Sequence, residues 1–378
     1  MGSVLDTRSL NRATLARQLL LGRAALSAED AVAHLLGLQA QNVKPPYFQL
    51  HARLVGFRPA ALAELMESRK VVRMVTMRST IHTHTAHDAL TLRPLVQAAR
   101  DREVNAFRKG LAGVDPQRLG ELARAFVEAE PRTMGEIREE LLGHWPDADP
   151  QSLSVAARCR LPLVQVTPRG VWGRSGQVRL TTLQQWIGRP AAGEAAPQYQ
   201  VDDVVLRYLG AFGPASVKDM QTWAGLTRLR DAFERLRPRL AVFRDENGVE
   251  LFDLPDAPRP DAGTPAPPRF LPEFDNLLLS HADRTRVIAP ELKGRTWTGN
   301  QSHRTLLVDG FVAGLWLWEE GTLTIELFGK VSKAEKEHIV AEGERMIAEM
   351  GEQSEMGEQS ETAETGGRPS VRFGSIHG

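Results

Sequence analysis

Cysteine is almost absent from this chain, and so are long apolar runs and an excess of either charge. The single cysteine among 378 residues, Cys159, has no partner for an internal disulfide and no companions for a zinc site, so we expect a small buried side chain. No run of about 18 apolar residues predicts a membrane span, and the N-terminus lacks the layout of a signal peptide. The sequence therefore favours a cytoplasmic protein that uses no membrane, no metal and no cofactor.

What the chain does have is an uneven distribution of charge. Basic and acidic residues both number 47, yet residues 1–190 hold 26 Lys and Arg against 17 Asp and Glu, and residues 330–365 hold 4 against 10. Phosphate backbones bind to local basic surfaces, so the neutral total is compatible with a nucleic-acid partner. Solvated helix faces with ordinary ion pairs explain the same surplus equally well.

The order of predicted helices and strands indicates three similar units in tandem. Each unit has three helices followed by a strand or hairpin, which is the order of a winged helix-turn-helix. We therefore predict an α+β fold in which three winged-helix units form a concave cleft, followed by a small β-rich C-terminal domain. The boundaries that we assign are 1–110, 111–198 and 199–254 for the units, 255–268 for a proline-rich linker, 269–350 for the β-rich domain with its final helix, and 351–378 for a disordered tail.

A pair of glutamines lies where the apolar pattern of the second helix ends. Gln39 and Gln41 flank Ala40 and precede Pro45 and Pro46. Residues two apart on a helix point about 200° away from each other, so both amides can serve one site only if the backbone there is extended. An amide donates and accepts hydrogen bonds but is not a strong base. The pair can hold a water or a base edge, or it can simply cap the helix end.

Four segments together resemble the winged-helix DNA glycosylases of the AlkZ and YcaQ type. They are LQAQ (38–41), RSTIH (78–82), RGVWGRSG (169–176) and LPEFDNLLLSH (271–281), and the resemblance covers about residues 5–330. The family's catalytic pattern of glutamine, apolar residue and glutamine matches Gln39, Ala40 and Gln41. The resemblance implies a monofunctional glycosylase that hydrolyses the N-glycosidic bond of cationic N7-alkylguanine and unhooks azinomycin-type interstrand crosslinks.

The implied partner is double-stranded DNA that carries such lesions or crosslinks, and nothing in the sequence demands more than a monomer. A protein of this kind is nucleoid-associated when it is bound to DNA. We expect basic side chains near the glutamines to contact phosphates, although each arginine could instead pair with a nearby glutamate. These candidates are Lys44, Arg53, Arg58, Arg73 and Arg78.

Two histidines and one hairpin complete the set of candidates. His82 and His84 fall on the polar side of a predicted strand with Arg78, and we assign His82 a contact with phosphate or the lesion, although a histidine at such a place is more often structural. The resemblance implies a hairpin that probes a DNA groove. We favour residues 308–311, with Asp309 and Gly310 at the turn, over the wing turn at residues 247–248.

Two other functions stay open on the residues alone. A transcription regulator is the main alternative because winged helices most often bind DNA without altering it, although three units in one chain fit a dimeric regulator poorly. A drug-sequestering protein is the second, since Trp172, Trp316 and Trp318 could stack on a planar ligand. Lys44 could also form a Schiff base, as in bifunctional glycosylases, but a phosphate contact suits it better.

Overall fold

The structure is a computed structural model that describes residues 3–188, 200–351 and 370–376. Its helices are α1 (Thr7–Arg17), α2 (Ala28–His34), α3 (Pro45–Arg53), α4 (Pro59–Glu67), α5 (Ala86–Leu95), α6 (Gln97–Ala106), α7 (Pro116–Ala129), α8 (Met134–His144), α9 (Pro150–Arg160), α10 (Leu183–Ile187), α11 (Val201–Phe212), α12 (Val217–Ala224), α13 (Arg230–Leu236) and α14 (Lys333–Gly351). Its strands are β1 (Val4–Leu5), β2 (Leu38–Gln39), β3 (Val71–Val75), β4 (Ile81–Thr85), β5 (Leu163–Gln165), β6 (Leu180–Thr182), β7 (Ala241–Asp245), β8 (Glu250–Asp253), β9 (Arg269–Leu271), β10 (Trp297–Thr298), β11 (Gln301–Ser302), β12 (Thr305–Val308), β13 (Phe311–Glu319), β14 (Thr322–Leu327) and β15 (Ser370–Phe373).

The first two predicted units share one sheet. Its strands run in the order β2, β4, β3, β5 and β6, and every neighbouring pair is antiparallel. The hairpin of β3 and β4 forms where β-branched residues alternate along the sequence. The sequence order predicts that β5 is followed by a hairpin partner, but residues 171–174 form no strand, because Gly170 and Gly173 adopt positive φ angles of 95° and 70° and turn the chain there. The strand that pairs with β5 is β6.

The third unit has three helices followed by a hairpin, at the positions that the sequence predicts. Ser216 and Asp219 form a capping box at the start of α12, and Gly225 ends that helix with a φ of 69°. β7 and β8 pair across a turn at residues 246–249, in which Gly248 has a φ of 78°. Strand β1 adds to the edge of β7 in parallel, so the N-terminus belongs to this small sheet.

The C-terminal part is a five-stranded sheet in the order β15, β14, β13, β12 and β9, with α14 packed against it. Strand β15 pairs in parallel with β14, so the expectation of disorder is wrong for residues 370–373, whose extended backbone completes the sheet edge. Gly351 of that predicted tail ends α14, residues 374–376 follow β15 without a helix or strand, and residues 352–369 and 377–378 lie outside the described residues. So does the predicted boundary between the second and third units at residue 198.

The hydrophobic core joins parts of the chain that the sequence analysis divides. One cluster contains Leu38 of β2, Phe212 of α11 and Trp316 of β13, whereas α7, α8 and α9 pack around a cluster of their own. The proline-rich residues 255–268 form no helix or strand, and they lie along α1, whose Arg12 Nε donates to the Thr264 carbonyl at 2.6 Å. Cys159 is buried, as predicted.

In the described part of the chain, no helix is both long and apolar enough to cross a membrane.

Candidate active site

The glutamine loop, residues 39–44, begins as a strand and ends at a helix. Leu38 and Gln39 pair with Thr83 and His82 of β4, and Ala40 N donates to the Ile81 carbonyl at 2.8 Å. The predicted departure from helical geometry at the glutamines is therefore confirmed. Sequence reasoning missed α3, because it took the two prolines at residues 45–46 as a break only. Prolines are also favoured in the first turn of a helix, where their missing N–H is not needed.

The two glutamines differ in exposure. Gln39 keeps only 4% of its surface exposed, whereas Gln41 is exposed. The Gln39 Oε1 atom accepts a hydrogen bond from Arg78 Nη2 at 2.6 Å. The Gln41 Oε1 atom lies 3.5 Å from the backbone nitrogen of Ile81, at the limit of a hydrogen bond. Both amides thus lie beside the start of β4, one fixed behind the surface and one on it.

Arg78 lies in the tight turn between β3 and β4 and not on a strand. Its φ of 53° is uncommon for a residue other than glycine and costs about 1–2 kcal/mol. The conformation turns the guanidinium inward, where Nη1 donates to the Trp223 carbonyl of α12 and Nη2 to Gln39 and to His82 Nε2 at 3.3 Å. The predicted phosphate contact is therefore not supported, since both Nη atoms already have protein acceptors.

His82 and His84 share a side of β4, with ring centroids 5.6 Å apart, but both rings are buried. His82 Nδ1 lies 3.0 Å from the Thr80 carbonyl, and His84 Nε2 lies 2.9 Å from Thr76 Oγ1. Burial, together with the charge of Arg78, lowers the pKa of His82 well below its ordinary value, and burial lowers the pKa of His84 to about 4. Both are neutral at physiological pH, so the contact expected between His82 and phosphate or the lesion is not supported.

Arg73 supports the glutamine loop from inside. Its side chain is buried, and its Nη2 and Nη1 atoms donate to the carbonyls of Ala40 and Asn42 at 3.0 and 3.5 Å. Gly170 packs so closely that a Cβ there would lie 2.4 Å from Arg73 Cδ. Burial lowers the pKa of Arg73 to about 10, which leaves it charged at neutral pH. The predicted phosphate contact of Arg73 is thus replaced by a structural role in the loop.

Glu273, from the segment at residues 271–281, holds the other side of the loop. Its Oε1 accepts from Asn42 Nδ2 at 3.1 Å and its Oε2 accepts from Arg304 Nε at 3.0 Å. Sequence reasoning did not single out Glu273, because Asn42 and Glu273 are 231 residues apart in the chain, and it did not single out Arg304, which reaches the loop only through Glu273. The only indication in the sequence was that Glu273 lies in one of the four segments that resemble the glycosylase family.

Arg53 was predicted to contact DNA, and the structure contradicts this prediction most clearly. It is fully buried in α3, and its two Nη atoms donate to the two carboxylate oxygens of Asp275 at 2.8 and 2.7 Å. A guanidinium so engaged cannot reach a phosphate. Lys44 is exposed at the end of the glutamine loop and Arg58 is exposed at the start of α4, so both stay available for that role.

The favoured probing hairpin is also not supported, because its turn is docked on the protein. Asp309 forms ion pairs with Arg8 and Arg12 of α1. Gly310 is buried, and a Cβ there would lie 2.5 Å from Asn11 Oδ1. The local turn signal at these residues is strong, but it carries no information about what covers the turn.

A shorter hairpin, β10 with β11, packs against the segment that contacts the glutamine loop. Its turn residues 298–301 are all exposed. The Trp297 ring packs on Phe274, next to Glu273 in the chain, with centroids 5.7 Å apart, and the Arg284 guanidinium lies 5.6 Å from the Trp297 ring. Sequence reasoning missed this hairpin because each strand has only two residues.

Two arginines near the loop, Arg78 and Arg284, have no carboxylate partner among the described residues. Burial and then the nearby Arg284 lower the pKa of Arg78 to about 10, and burial also lowers the pKa of Arg284. Within the described ranges, neither arginine forms an ion pair, and no group of three or more His, Cys, Asp or Glu side chains is placed to hold a metal ion. The arrangement offers amides and cations, which suits a polyanionic ligand and a reaction that needs orientation more than a base.

Comparisons with known proteins agree on one family. The family model described as DNA glycosylase AlkZ-like matches residues 32–348, which is more than half of the chain and includes the whole glutamine loop.

Two relatives show the extent of the similarity. The chain is 24% identical over 326 residues to an interstrand DNA cross-link repair glycosylase of Streptomyces sahachiroi, a match that covers 79% of this chain and 84% of that protein. The solved structure of the Streptomyces sahachiroi DNA glycosylase AlkZ matches with a TM-score of 0.75 at 19% identity, over 98% of this chain and 100% of that one. At this identity the structural match shows a shared fold.

Proposed function

The chain belongs to the AlkZ-like DNA glycosylase family, and from that membership we propose that it hydrolyses the N-glycosidic bond of cationic N7-alkylguanine in double-stranded DNA. Gln39 and Gln41 are the proposed catalytic residues. The observation that carries the proposal is the geometry of the glutamine loop, where an exposed amide and a fixed amide lie together beside unneutralised arginines.

The proposed reaction needs no strong acid or base from the protein. N7 alkylation leaves the purine ring positively charged, so when the bond between N9 and C1′ breaks, the electron pair neutralises the ring and the base departs uncharged. Water adds to C1′ of the sugar, which has oxocarbenium character, and its proton passes to solvent. Orientation and electrostatic fit, which contribute several kcal/mol, are sufficient for such a step. Amides supply both without acting as a strong base.

We also propose that the substrates include interstrand crosslinks of the azinomycin type. A crosslinked nucleotide is tethered to the opposite strand and cannot be turned out into a deep pocket. A catalytic amide on the surface meets this constraint, and Gln41 is exposed. The name of the Streptomyces sahachiroi relative, a cross-link repair glycosylase, supports the same substrate class.

The proposed DNA contacts differ from those expected at first. Lys44 is retained because it is exposed at the end of the loop, and Arg284 is added because no carboxylate in the described residues pairs with it. The exposed turn of the β10–β11 hairpin, attached near Glu273 through Phe274, replaces residues 308–311 as the proposed groove-probing element. We propose a monofunctional reaction, so Lys44 forms no covalent bond to the sugar, and borohydride should trap no adduct.

The function is tested with a duplex that carries one 7-methylguanine. Wild-type protein should release free 7-methylguanine and leave an alkali-sensitive abasic site, and the variant Gln39→Ala with Gln41→Ala should do neither above background. A matched double variant at exposed surface glutamines, Gln117→Ala with Gln151→Ala, should keep the full rate. Azinomycin-treated duplex, analysed on a denaturing gel, tests crosslink unhooking. Base release that survives loss of both loop glutamines contradicts the assignment.

A further inference from the structure

We propose that the two amides have different tasks: Gln39 is a fixed hydrogen-bond donor to the departing base, Arg78 is the positioning residue that sets this role, and Gln41 is the acceptor that holds the attacking water. The inference rests on the proposed function and assigns roles within it. Its starting point is that Arg78 bonds to one of the two glutamines and leaves the other alone.

The orientation of the Gln39 amide follows from the chemistry of its partner. An amide has one accepting and one donating end, which are hard to distinguish by shape alone. A guanidinium carries only donors. The atom of Gln39 that lies 2.6 Å from Arg78 Nη2 must therefore be the oxygen, and the NH₂ group points away from Arg78.

His82 fixes Arg78 in turn. Its Nδ1 lies 3.0 Å from the Thr80 carbonyl, which can only accept, so Nδ1 carries the proton and Nε2 is the acceptor. Arg78 Nη2 lies 3.3 Å from this Nε2 atom. A chain of hydrogen bonds from Thr80 through His82 and Arg78 thus holds the side-chain Oε1 atom of Gln39.

The third unit also fixes the position of Arg78. Arg78 Nη1 donates to the carbonyl of Trp223 near the end of α12. The Gly225 backbone lies against the same turn, where a Cβ would lie 3.0 Å from the Arg78 nitrogen. The position of α12 therefore controls the direction of the Gln39 amide.

The free NH₂ group of Gln39 is the reactive end. Among the described residues it has no acceptor, although the side chain is almost fully enclosed. As the glycosidic bond breaks, electrons flow into the purine and its ring and carbonyl acceptors gain electron density. A donor fixed toward them binds the transition state more tightly than the ground state.

Gln41 has the opposite properties. It is exposed, and within the described ranges the one hydrogen bond of its side chain is the 3.5 Å approach of Oε1 to the Ile81 nitrogen. Its carbonyl therefore keeps lone-pair capacity for a water hydrogen. A water held in this way needs no ionised base, because the sugar carbon that it attacks is already strongly electrophilic.

Two isosteric variants separate these roles in single-turnover release of 7-methylguanine. Gln39→Glu replaces the donor by a carboxylate paired with Arg78, and it should lower the rate by about a hundredfold. Gln41→Glu keeps an acceptor, and its rate should stay within about tenfold of wild type and rise with pH as the new carboxylate ionises. Affinity for a duplex with non-hydrolysable 2′-fluoro-7-methylguanosine, and the melting temperature, report whether either variant is damaged as a whole.

The outcomes are distinguishable. Loss in Gln41→Glu with retention in Gln39→Glu, equal loss in both, or retention in both overturns the division of roles while base release by the wild type still stands. A wild-type protein that releases no base overturns the proposed function and this inference together.

Arg78 has its own test. Arg78→Met should lower the release rate by about tenfold and change the affinity for the 2′-fluoro duplex by less than about threefold, because the side chain acts on Gln39 and not on phosphate. Arg78→Lys, which keeps a donor, should recover part of the rate. A drop in affinity with a changed salt dependence would instead identify Arg78 as a phosphate contact and overturn its positioning role.

Discussion

Buried and half-buried arginines are held in two different ways in two regions of this protein. Between α1, α3 and their neighbours, Arg17 and Arg53 form two-pronged ion pairs with Asp253 and Asp275. Around the glutamine loop, Arg73 and Arg78 bond to carbonyl and amide oxygens, and neither has a carboxylate partner in the described ranges. The first region neutralises its charge, while the second keeps positive charge beside the proposed DNA surface.

The type of partner indicates the role of each arginine. A buried ion pair makes its region depend on both partners, since loss of one leaves an uncompensated charge. An arginine bonded to neutral oxygens fixes the direction of those oxygens and still contributes its charge to the local field. Arg73 fixes the loop backbone and Arg78 fixes the Gln39 side chain, so the second region is organised for orientation.

The largest expected effect is in the neutralised region. Asp275→Asn leaves Arg53 buried with no counter-charge, so the free energy of unfolding should fall by about 3–5 kcal/mol. Urea unfolding measures the change. Asp202→Asn is the matched control, because its partner Arg235 is exposed and such a pair is worth about 0–1 kcal/mol. Equal losses in the two variants would remove the basis of the comparison.

The next effect concerns the glutamine loop. Arg73→Met removes the donors to the carbonyls of Ala40 and Asn42, so the loop should lose its fixed geometry and base release should slow by about tenfold. The melting temperature should change much less than in Asp275→Asn. Arg174→Met, at an exposed pair with Glu67, is the control and should leave the rate unaltered. A variant that is as active as wild type would show that Arg73 does not organise the loop.

A smaller effect depends on pH. His84 is buried beside Asp88 and Arg207, with its pKa lowered to about 4 mainly by burial, whereas an unfolded histidine titrates near 6.5. Between these values the unfolded chain binds the extra proton, so stability is lost as pH falls. His84→Gln should reduce the pH dependence of the unfolding free energy by about 1.4 kcal/mol per pH unit between pH 6 and 4.

The control for that measurement is His144→Gln, on the accessible surface of α8. It should leave the slope between pH 6 and 4 nearly as it is in wild type. An unchanged slope in His84→Gln as well would mean that His84 is not held neutral by the fold.

The smallest expected effect is on DNA binding. Lys44→Ala should weaken binding equally for damaged and undamaged duplex, and it should reduce the slope of log affinity against log salt by about 0.9. Lys333→Ala, on the exposed face of α14, should change neither quantity. Fluorescence anisotropy at several salt concentrations measures both. A loss confined to damaged duplex would point to a contact with the lesion and not with phosphate.

The sequence predicted much of the local structure and little of the pairing between distant parts. The extended backbone at Gln39, the hairpin of β3 and β4, and the helices of the third unit all follow from local patterns and are confirmed. The partner of Arg53 could not be predicted, because Asp275 is 222 residues away in the chain. From the sequence alone, several other carboxylates were equally plausible partners.

The errors in the site have the same origin. Local signals made Asp309 and Gly310 an attractive hairpin tip, yet the docking of that turn on α1 depends on tertiary packing. Arg78 looked like a strand residue aimed at phosphate because alternation was extended through a turn in which its φ is 53°. Glu273 contacts the glutamine loop, and Arg284 comes near Arg78, only in the folded chain.

The most direct test of the account replaces the charge on the lesion and keeps its shape. A duplex with 7-methylguanine and a matched duplex with 7-deaza-7-methylguanine differ by a carbon in place of the alkylated nitrogen, so only the first base is cationic. If neutral amides suffice because the charged base is ready to leave, the protein should release 7-methylguanine and leave the deaza base at the uncatalysed level. Comparable release of both bases would contradict the account.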